Sequence, residues 1–182
     1  SDTWKSIYHV GFRLQEGKSK YSSVGHWNDP DMLVVGEVGW GTNLRETRLT
    51  PDEQYTHITL WTILASNMLI GCDIAQMDDF TLNLLCNNEV NAINQDMLGK
   101  QADRVLKDGD IEVWSRPLAD GSIAVGIFNV GEKDHQVDMK TLIPIKVPAK
   151  VIRDVWRQKN LSADELKCTI PLHGCRYLKV RF

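Results

Sequence analysis

The first hundred residues alternate between apolar spacing that suits a helix and apolar spacing that suits a strand. Trp4 to Gln15 carries apolar residues at close to helical spacing, which predicts a helix. The run Met32-Leu33-Val34-Val35 and the run from Met68 to Ile74 each have the length of a buried strand. A predicted helix follows each run, so the order is strand, helix, strand, helix. This alternation is typical of βα units on a parallel sheet.

Both of these later helices begin at a recognisable sequence signal. Thr50-Pro51-Asp52-Glu53 places threonine at the N-cap, proline at the first helical position and glutamate three residues after the cap. The apolar stripe that follows is wide, as expected of a helix packed on a sheet, and Asn67 ends it. The second helix is predicted to begin at Asp78 or Asp79 and to run to about Asn94.

After about Gln101 the pattern changes to short strands separated by turns. Asp108-Gly109 and Asp120-Gly121 are hairpin turns of a favoured type. Regular short strands of this kind predict an antiparallel β-sandwich. We therefore predict two parts, an α/β part over residues 1–101 and an all-β part over residues 102–182. The strands of the second part are predicted at 104–106, 111–114, 122–129, 151–156, 168–170 and 177–182.

Composition and charge narrow the class of protein. The chain has 182 residues, of which 42% are hydrophobic and 25% charged, so a packed core is expected rather than disorder. The net charge of −3 argues against a nucleic-acid partner, which would need a basic face. The longest apolar runs are interrupted within a few residues, so no membrane span is expected.

The four cysteines have a spacing that fits no common zinc pattern, and no metal or cofactor is expected. Cys72 and Cys86 lie in apolar sequence and are interpreted as small buried hydrophobes. Cys168 and Cys175 flank a turn-like stretch, and whether they pair across it is left open. Cysteine usage therefore does not settle the cellular compartment.

The candidate chemistry lies between Gly25 and Gly36, which read G-H-W-N-D-P-D-M-L-V-V-G. Pro30 separates Asp29 from Asp31, and an apolar run follows. In an extended chain alternate side chains share a face, so both carboxylates are predicted to point to the same side. That arrangement is costly unless the carboxylates are hydrogen-bonded or wet. The alternative is a polar turn in which Asn and Asp cap neighbouring backbone.

Four strings in the same order give the chain a family resemblance. W-N-D-P-D-M-L at residues 27–33 closely resembles a signature of melibiase-type α-galactosidases and α-N-acetylgalactosaminidases, glycoside hydrolase family 27. Residues 1–6 resemble the end of the family's D-I-x-D-[ST]-W segment, and residues 94–101 resemble its N-Q-D-x-L-G-x-Q segment. Residues 110–118 resemble the first strands of its C-terminal domain. The resemblance covers nearly the whole chain, more loosely after Asn129.

The resemblance implies a fold and an activity. The α/β part would be the last two units of a (β/α)8 TIM barrel, followed by an antiparallel β-sandwich. The family cleaves terminal α-galactosides with retention, using two carboxyl groups roughly 5–5.5 Å apart. Its nucleophile belongs to an earlier barrel strand, and its acid/base Asp would fall two positions before Ser1. We therefore expect no catalytic carboxylate in this chain, which also begins without methionine and is expected to be a segment of a longer protein.

The resemblance also implies roles for residues at the ends of the two strands. Asp31 and Met32 match positions that line the sugar site. Asp29 is expected to hold the turn through backbone N–H groups, and Trp27 is either a sugar-stacking platform or, more simply, part of the core. Asp73 ends the eighth strand, where barrel residues often face the site. Asp2 is expected to be a hydrogen-bonded or capping carboxylate rather than a catalytic one.

The expected partners follow from the same resemblance: a galactoside substrate and the upstream barrel half of the same protein, with a homodimer left open. An extracytoplasmic location is favoured by the family alone. Preference among galactose, N-acetylgalactosamine and β-L-arabinopyranose is unreadable from these residues. A second hypothesis is a non-catalytic, structural or carbohydrate-binding β-sandwich fragment, which an exposed aromatic pair such as Trp114 and Trp156 would support. Expressed alone, the segment is expected to be inactive.

Overall fold

The computed structural model describes residues 1–182, and helices dominate the first half of the chain. An α-helix, α1, opens it and continues into a π-helix. One long helix, α2, and two shorter ones, α3 and α4, follow, and a single-turn helix, α5, lies in the second half. The bounds are α1 Trp4–Ile7, the π-helix Tyr8–Arg13, α2 Pro51–Ile63, α3 Asp79–Cys86, α4 Asn88–Asn94 and α5 Met139–Leu142.

The strands are concentrated in the second half. Two short strands, β1 and β2, form a ribbon in the first half, and eight strands follow residue 102. The bounds are β1 Glu37–Val38, β2 Arg45–Glu46, β3 Asp103–Asp108, β4 Ile111–Pro117, β5 Ile123–Asn129, β6 His135–Asp138, β7 Val151–Asp154, β8 Lys159–Asn160, β9 Lys167–Ile170 and β10 Cys175–Arg181.

The predicted helices are present, although α2 ends at Ile63 rather than at Asn67, and the other two helices show further differences. The Thr50 side chain accepts the Glu53 N–H and the Glu53 carboxylate accepts the Thr50 N–H, so the predicted capping box begins α2. The helix predicted from Asp78 is instead two helices, because Asn87 leaves helical geometry and caps α4 with its own side chain. Trp4 to Gln15 is also not one α-helix, since the chain widens into a π-helix after Ile7.

The two predicted parallel strands are reduced to a single bridge. The Leu33 N–H donates to Leu69 O over 2.8 Å, and the Gly71 N–H donates to Leu33 O over 2.9 Å. Pairing goes no further because the Asp31 N–H donates to Asp29 Oδ1 and Asp31 O accepts from Trp61 Nε1, while Cys72 pairs with Val38 in the antiparallel sense. The prediction of regular strands over these residues was therefore wrong, while the parallel sense of the contact agrees with it.

The second half is antiparallel, as predicted. Six strands form one sheet in the order β3-β4-β5-β10-β7-β8, and β6 pairs with β9 in a separate ribbon. Gly109 and Gly121 have φ of 56° and 82° at the two predicted hairpin turns, a conformation that favours glycine. Strands β6 and β8 were missed, because both are short and polar and lack an alternating apolar pattern.

Helix α2 lies at the centre of the larger of two apolar clusters. Ten of its thirteen residues are buried, and the apolar ones among them, Ile58, Leu60, Trp61 and Ile63, join side chains from the first half and from the face of the sheet. A second cluster lies between the opposite face of the sheet and the β6–β9 ribbon. The predicted division between residues 101 and 102 stays a prediction. The larger cluster draws residues from both sides of that boundary.

The buried hydroxyl groups of α2 face the sheet. Thr56 Oγ1 donates to His173 O over 2.6 Å, and Thr62 Oγ1 lies 3.2 Å from the hydroxyl of Tyr177. Thr59 Oγ1 accepts from Trp156 Nε1 at 2.8 Å. We call Thr56, Thr59 and Thr62 the threonine seam; their spacing of three residues places them on one side of the helix. None of the helices is long and apolar enough to cross a membrane.

Candidate functional site

The segment from Trp27 to Met32 is a loop whose shape is fixed by side-chain hydrogen bonds. Asn28 Nδ2 donates to Lys18 O over 2.9 Å and to Gln101 Oε1 over 2.7 Å, which joins the loop to two other parts of the chain. Trp27 is 40% exposed, and its ring packs over Gly99, where an added Cβ would lie 2.8 Å from the ring. Trp27 is therefore a partly exposed side chain and not a core one.

Asp29 and Asp31 do not lie on an extended strand. Asp31 has φ = 79°, in the left-handed region, so the prediction from strand alternation was wrong at this residue. Asp29 Oδ1 accepts the Asp31 N–H at 2.8 Å, and Asp31 Oδ1 accepts the Met32 N–H at 2.7 Å. Asp29 thus holds the turn as expected. Asp31 is exposed, and its other carboxylate oxygen accepts no hydrogen bond from the protein.

Met32 lies directly against Gly71 of the neighbouring segment. A Cβ added to Gly71 would come within 2.6 Å of Met32 Sδ and within 2.6 Å of Leu33 O. Only glycine leaves room for the thioether at this point. Met32 remains 37% exposed, so part of its side chain is available to a ligand. The need for glycine at residue 71 was not predicted, because it depends on a contact across 39 residues.

Two buried residues of α2 hydrogen-bond to the backbone of the loop and of the residues that follow it. Trp61 Nε1 donates to Asp31 O over 2.7 Å, and the Val34 N–H donates to His57 Nε2 over 3.1 Å. Burial lowers the pKa of His57 to about 3, so the ring is neutral and its Nε2 can accept. We call His57 and Trp61 the α2 clamp. From the sequence, both residues could be placed only in the helix that follows Thr50, and their contacts with the loop were not predicted.

Asp73 closes its own turn. Its Oδ1 accepts the Ala75 N–H at 2.9 Å, and its Oδ2 accepts from Gln76 Nε2 at 3.1 Å. Its N–H donates to Glu37 O over 2.8 Å. These bonds give Asp73 a local role as the cap of a short 3-10 turn. A further role of Asp73, Trp27, Asp31 or Met32 in binding stays a prediction.

Asp2 is a buried carboxylate held by two arginines. Asp2 Oδ2 lies 2.6 Å from Arg45 Nη1, and Asp2 Oδ1 lies 2.8 Å from Arg48 Nη2, while the Arg48 N–H also donates to Oδ2. Asp2 is only 5% exposed. The hydrogen bond from Arg45 is the main reason that the pKa of Asp2 falls well below its usual range, although burial opposes the shift. The expectation of a hydrogen-bonded carboxylate is confirmed.

The cysteines and the tryptophans of the second half correct two further expectations. All four cysteines are free thiols, and Cys86 is exposed rather than buried. Trp114 is fully buried, with its Nε1 donating to Glu112, and Trp156 is partly buried against Thr59. The exposed aromatic pair that would support a carbohydrate-binding module is therefore not present. No group of three or more His, Cys, Asp or Glu residues is arranged to hold a metal ion.

Two family models together match nearly the whole chain. The model described as alpha galactosidase A matches residues 1–96, and the model described as alpha galactosidase C-terminal beta sandwich domain matches residues 108–180. The chain is 34% identical over 179 residues to "Alpha-galactosidase 2" of Arabidopsis thaliana. The aligned region covers 96% of this chain and 43% of that protein. The chain is also 33% identical over 132 residues to "Alpha-N-acetylgalactosaminidase" of Gallus gallus, and there the aligned region covers 70% of this chain and 30% of that protein.

Solved structures agree with this result. A GH27 β-L-arabinopyranosidase from Geobacillus stearothermophilus superposes with a TM-score of 0.86 at 31% identity and covers 100% of this chain and 42% of its own. Alpha-galactosidase I from Mortierella vinacea gives a TM-score of 0.73 at 28% identity, over 89% of this chain and 41% of its own. The chain thus spans less than half the length of the curated relatives it matches.

The Asp2 cluster predicts a stability effect that depends on pH. A carboxyl group whose pKa is lowered by folding stabilises the folded state above its unfolded pKa, and this contribution is lost as the pH falls below that value. We expect Asp2→Asn to lower the free energy of unfolding at pH 7 by ~1–3 kcal/mol. The deficit relative to wild type should shrink below pH ~4, where the unfolded carboxyl takes up its proton.

The measurement is urea unfolding of the protein that carries this chain, at several pH values between 7 and 3, followed by tryptophan fluorescence. Asp103→Asn on the exposed strand β3 is the matched control, since Asp103 is exposed and no ion pair holds it. A deficit for Asp2→Asn that stays constant from pH 7 to pH 3 would contradict the assignment of the stabilisation to the ionised carboxylate.

Proposed function

Because this chain belongs to the melibiase-type family of glycoside hydrolases, we propose that it is the C-terminal part of a retaining enzyme. The enzyme would remove terminal α-linked galactose from oligosaccharides or glycoconjugates. Galactose is chosen because curated relatives from Arabidopsis thaliana, Cyamopsis tetragonoloba and Oryza sativa are named alpha-galactosidases. In this proposal Asp31 and Met32 form part of the sugar-binding surface. The observation that carries it is the exposed carboxylate of Asp31, held by its hydrogen bond to the Met32 N–H, beside the partly exposed side chain of Met32.

The proposed architecture is the end of a (β/α)8 barrel followed by a β-sandwich. Its support is the parallel bridge between Leu33 and Ile70 with α2 between the two segments in sequence. Leu69, Ile70 and Ile74 expose half or more of their surface, which is unusual for adjacent aliphatic side chains in a folded domain. Further barrel strands paired beside this segment would cover them.

The two catalytic carboxylates are proposed to lie in chain that precedes Ser1. Retention requires two carboxyl groups on opposite faces of the scissile bond, roughly 5–5.5 Å apart. Asp29 and Asp31 fit poorly, because each uses one oxygen to hold the backbone of the same loop. Asp2 fits no better, since two arginines occupy its buried carboxylate. Asp31 would instead orient or electrostatically support the reacting groups, with Met32 providing apolar surface against the ring.

The carbohydrate-binding alternative receives no support from the sandwich. Trp114 is fully buried, and Trp156 packs edge-on against Tyr55 at 4.8 Å between ring centroids. A stacking platform for a sugar needs an open aromatic face. A role as part of a hydrolase is therefore the function that the described residues favour.

A substitution at Asp31 tests the proposed role of its carboxylate. Asn keeps an oxygen that can accept the Met32 N–H, so Asp31→Asn removes charge while the turn can persist. In the enzyme that carries this chain, we expect kcat/KM on p-nitrophenyl α-galactoside to fall at least ~10-fold, about 1.4 kcal/mol of transition-state stabilisation. Asp103→Asn is the control and should keep activity near wild type. Activity of Asp31→Asn within ~2-fold of wild type would reject a site role.

A second test addresses the placement of the catalytic pair. Residues 1–182 expressed alone are expected not to hydrolyse p-nitrophenyl α-galactoside, and to self-associate through the exposed apolar segment around Ile70. Light scattering reports the oligomeric state, and the enzyme that carries this chain, assayed in parallel, is the positive control. A soluble monomer with turnover above the buffer rate would show that the catalytic carboxylates lie within these residues.

A further inference from the structure

We infer that the α2 clamp, His57 and Trp61, positions Asp31 for its role in the sugar site. This inference rests on the proposed function and deepens it by naming residues that act through Asp31 without touching substrate. His57 and Trp61 are four residues apart in α2, so they lie on one face of the helix. That face is turned toward the loop, whereas the threonine seam bonds to the C-terminal region.

Trp61 acts on a backbone that needs external support. Asp31 has φ = 79°, a conformation that costs a non-glycine residue of order 1 kcal/mol or more. The 2.7 Å hydrogen bond from Trp61 Nε1 to Asp31 O is available only in the observed peptide orientation. A buried hydrogen bond contributes roughly 0.5–1.5 kcal/mol, which is similar to the conformational cost. The indole N–H is therefore well suited to hold Asp31 in its left-handed conformation.

His57 fixes the same segment three residues later. Its ring is fully buried and stands edge-on to Trp61, with 4.1 Å between ring centroids. The Val34 N–H donates to Nε2, which requires the neutral ring that burial favours. Thr47 Oγ1 donates to Val34 O at 2.8 Å, so both backbone groups of Val34 are occupied. Asp31 therefore lies between two fixed points, the Asp29 turn and Val34.

The clamp itself has little freedom to move. A Cβ added to Gly11 would lie 2.6 Å from Trp61 Cζ3, so the indole is packed tightly against the π-helix. On the other side of α2, Thr56 and Thr62 are bonded to His173 and Tyr177 of the C-terminal region. A displacement of the indole would disturb a close-packed core. The loop is thus held against a rigid support, and the direction of the Asp31 carboxylate depends on that support.

The first experiment compares two equivalent truncations in the enzyme that carries this chain. Trp61→Phe removes the indole N–H that contacts Asp31. Trp114 belongs to the same apolar cluster as Trp61, and Trp114→Phe removes an indole N–H that contacts Glu112. Both tryptophans are fully buried and Trp114 donates to a buried carboxylate, so Trp114→Phe should lose at least as much stability as Trp61→Phe. We expect Trp61→Phe to lower kcat/KM at least ~5-fold and Trp114→Phe to stay within ~2-fold of wild type. Equal losses in the two variants would overturn the inference.

A double substitution tests whether Trp61 acts through Asp31. If it does, Trp61→Phe should cost less in an Asp31→Asn enzyme than in wild type, since the charge that it orients is already gone. Full additivity of the two losses would contradict a positioning role. Should Trp61→Phe fail to accumulate, His57 provides an independent pair of variants. His57→Gln retains an acceptor and should keep kcat/KM near wild type, whereas His57→Leu should lose it; the same result for both would contradict the inference.

A measurement without substrate separates this inference from the proposed function. Hydrogen exchange of the peptide over residues 28–36, followed by mass spectrometry in the same protein, reports the order of the loop. We expect exchange to be at least ~5-fold faster in Trp61→Phe and unchanged in Trp114→Phe. An inactive wild-type enzyme with this exchange difference would refute the galactosidase proposal but leave the clamp supported. An active wild-type enzyme with no exchange difference would refute the clamp alone.

Discussion

The structure depends on how one buried helix satisfies its polar side chains. Ten of the thirteen residues of α2 are buried, and the buried set includes three threonines, a histidine and the indole N–H of Trp61. A buried polar group without a partner costs roughly 1–3 kcal/mol, so each of these needs an acceptor or donor nearby. The threonine seam finds partners in the C-terminal region, and the α2 clamp finds them in the loop from Asp31 to Val34. The exception is His57 Nδ1, which is buried without a partner. The helix therefore holds the two parts of the chain in one arrangement.

This requirement also fixes the backbone of the candidate site, although the site lies on a loop. The carboxylate of Asp31 is exposed, but its backbone is held by Asp29 on one side and by Trp61 from below. A loop residue with positive φ would otherwise relax to a commoner conformation. The same core carries the sheet residues Phe128 and Tyr177, so the β region contributes to the support of the loop. In the proposed enzyme, the C-terminal part would thus stabilise the barrel end that presents Asp31.

Local signals in the sequence predicted the elements that depend on local energetics. The capping box of α2, the Asp-Gly hairpins and the long antiparallel strands follow from short-range hydrogen bonds and alternation, and all are present. The features that were missed depend on distant contacts. Asp31 is left-handed because of Asp29 and of Trp61, thirty residues away, and Asp2 finds Arg45 and Arg48 more than forty residues along the chain. Alternation alone could not anticipate either arrangement.

The most direct test of this account is a crystal structure of the enzyme that carries this chain with galactose bound. We expect an Asp31 carboxylate oxygen within hydrogen-bonding distance of a sugar hydroxyl, about 2.5–3.2 Å. Met32 should lie against the ring, and the bond from Trp61 Nε1 to Asp31 O should be retained. An ordered galactose in the active site with the Asp31 carboxylate beyond ~5 Å would contradict the central claim that α2 holds this residue in place to bind the sugar.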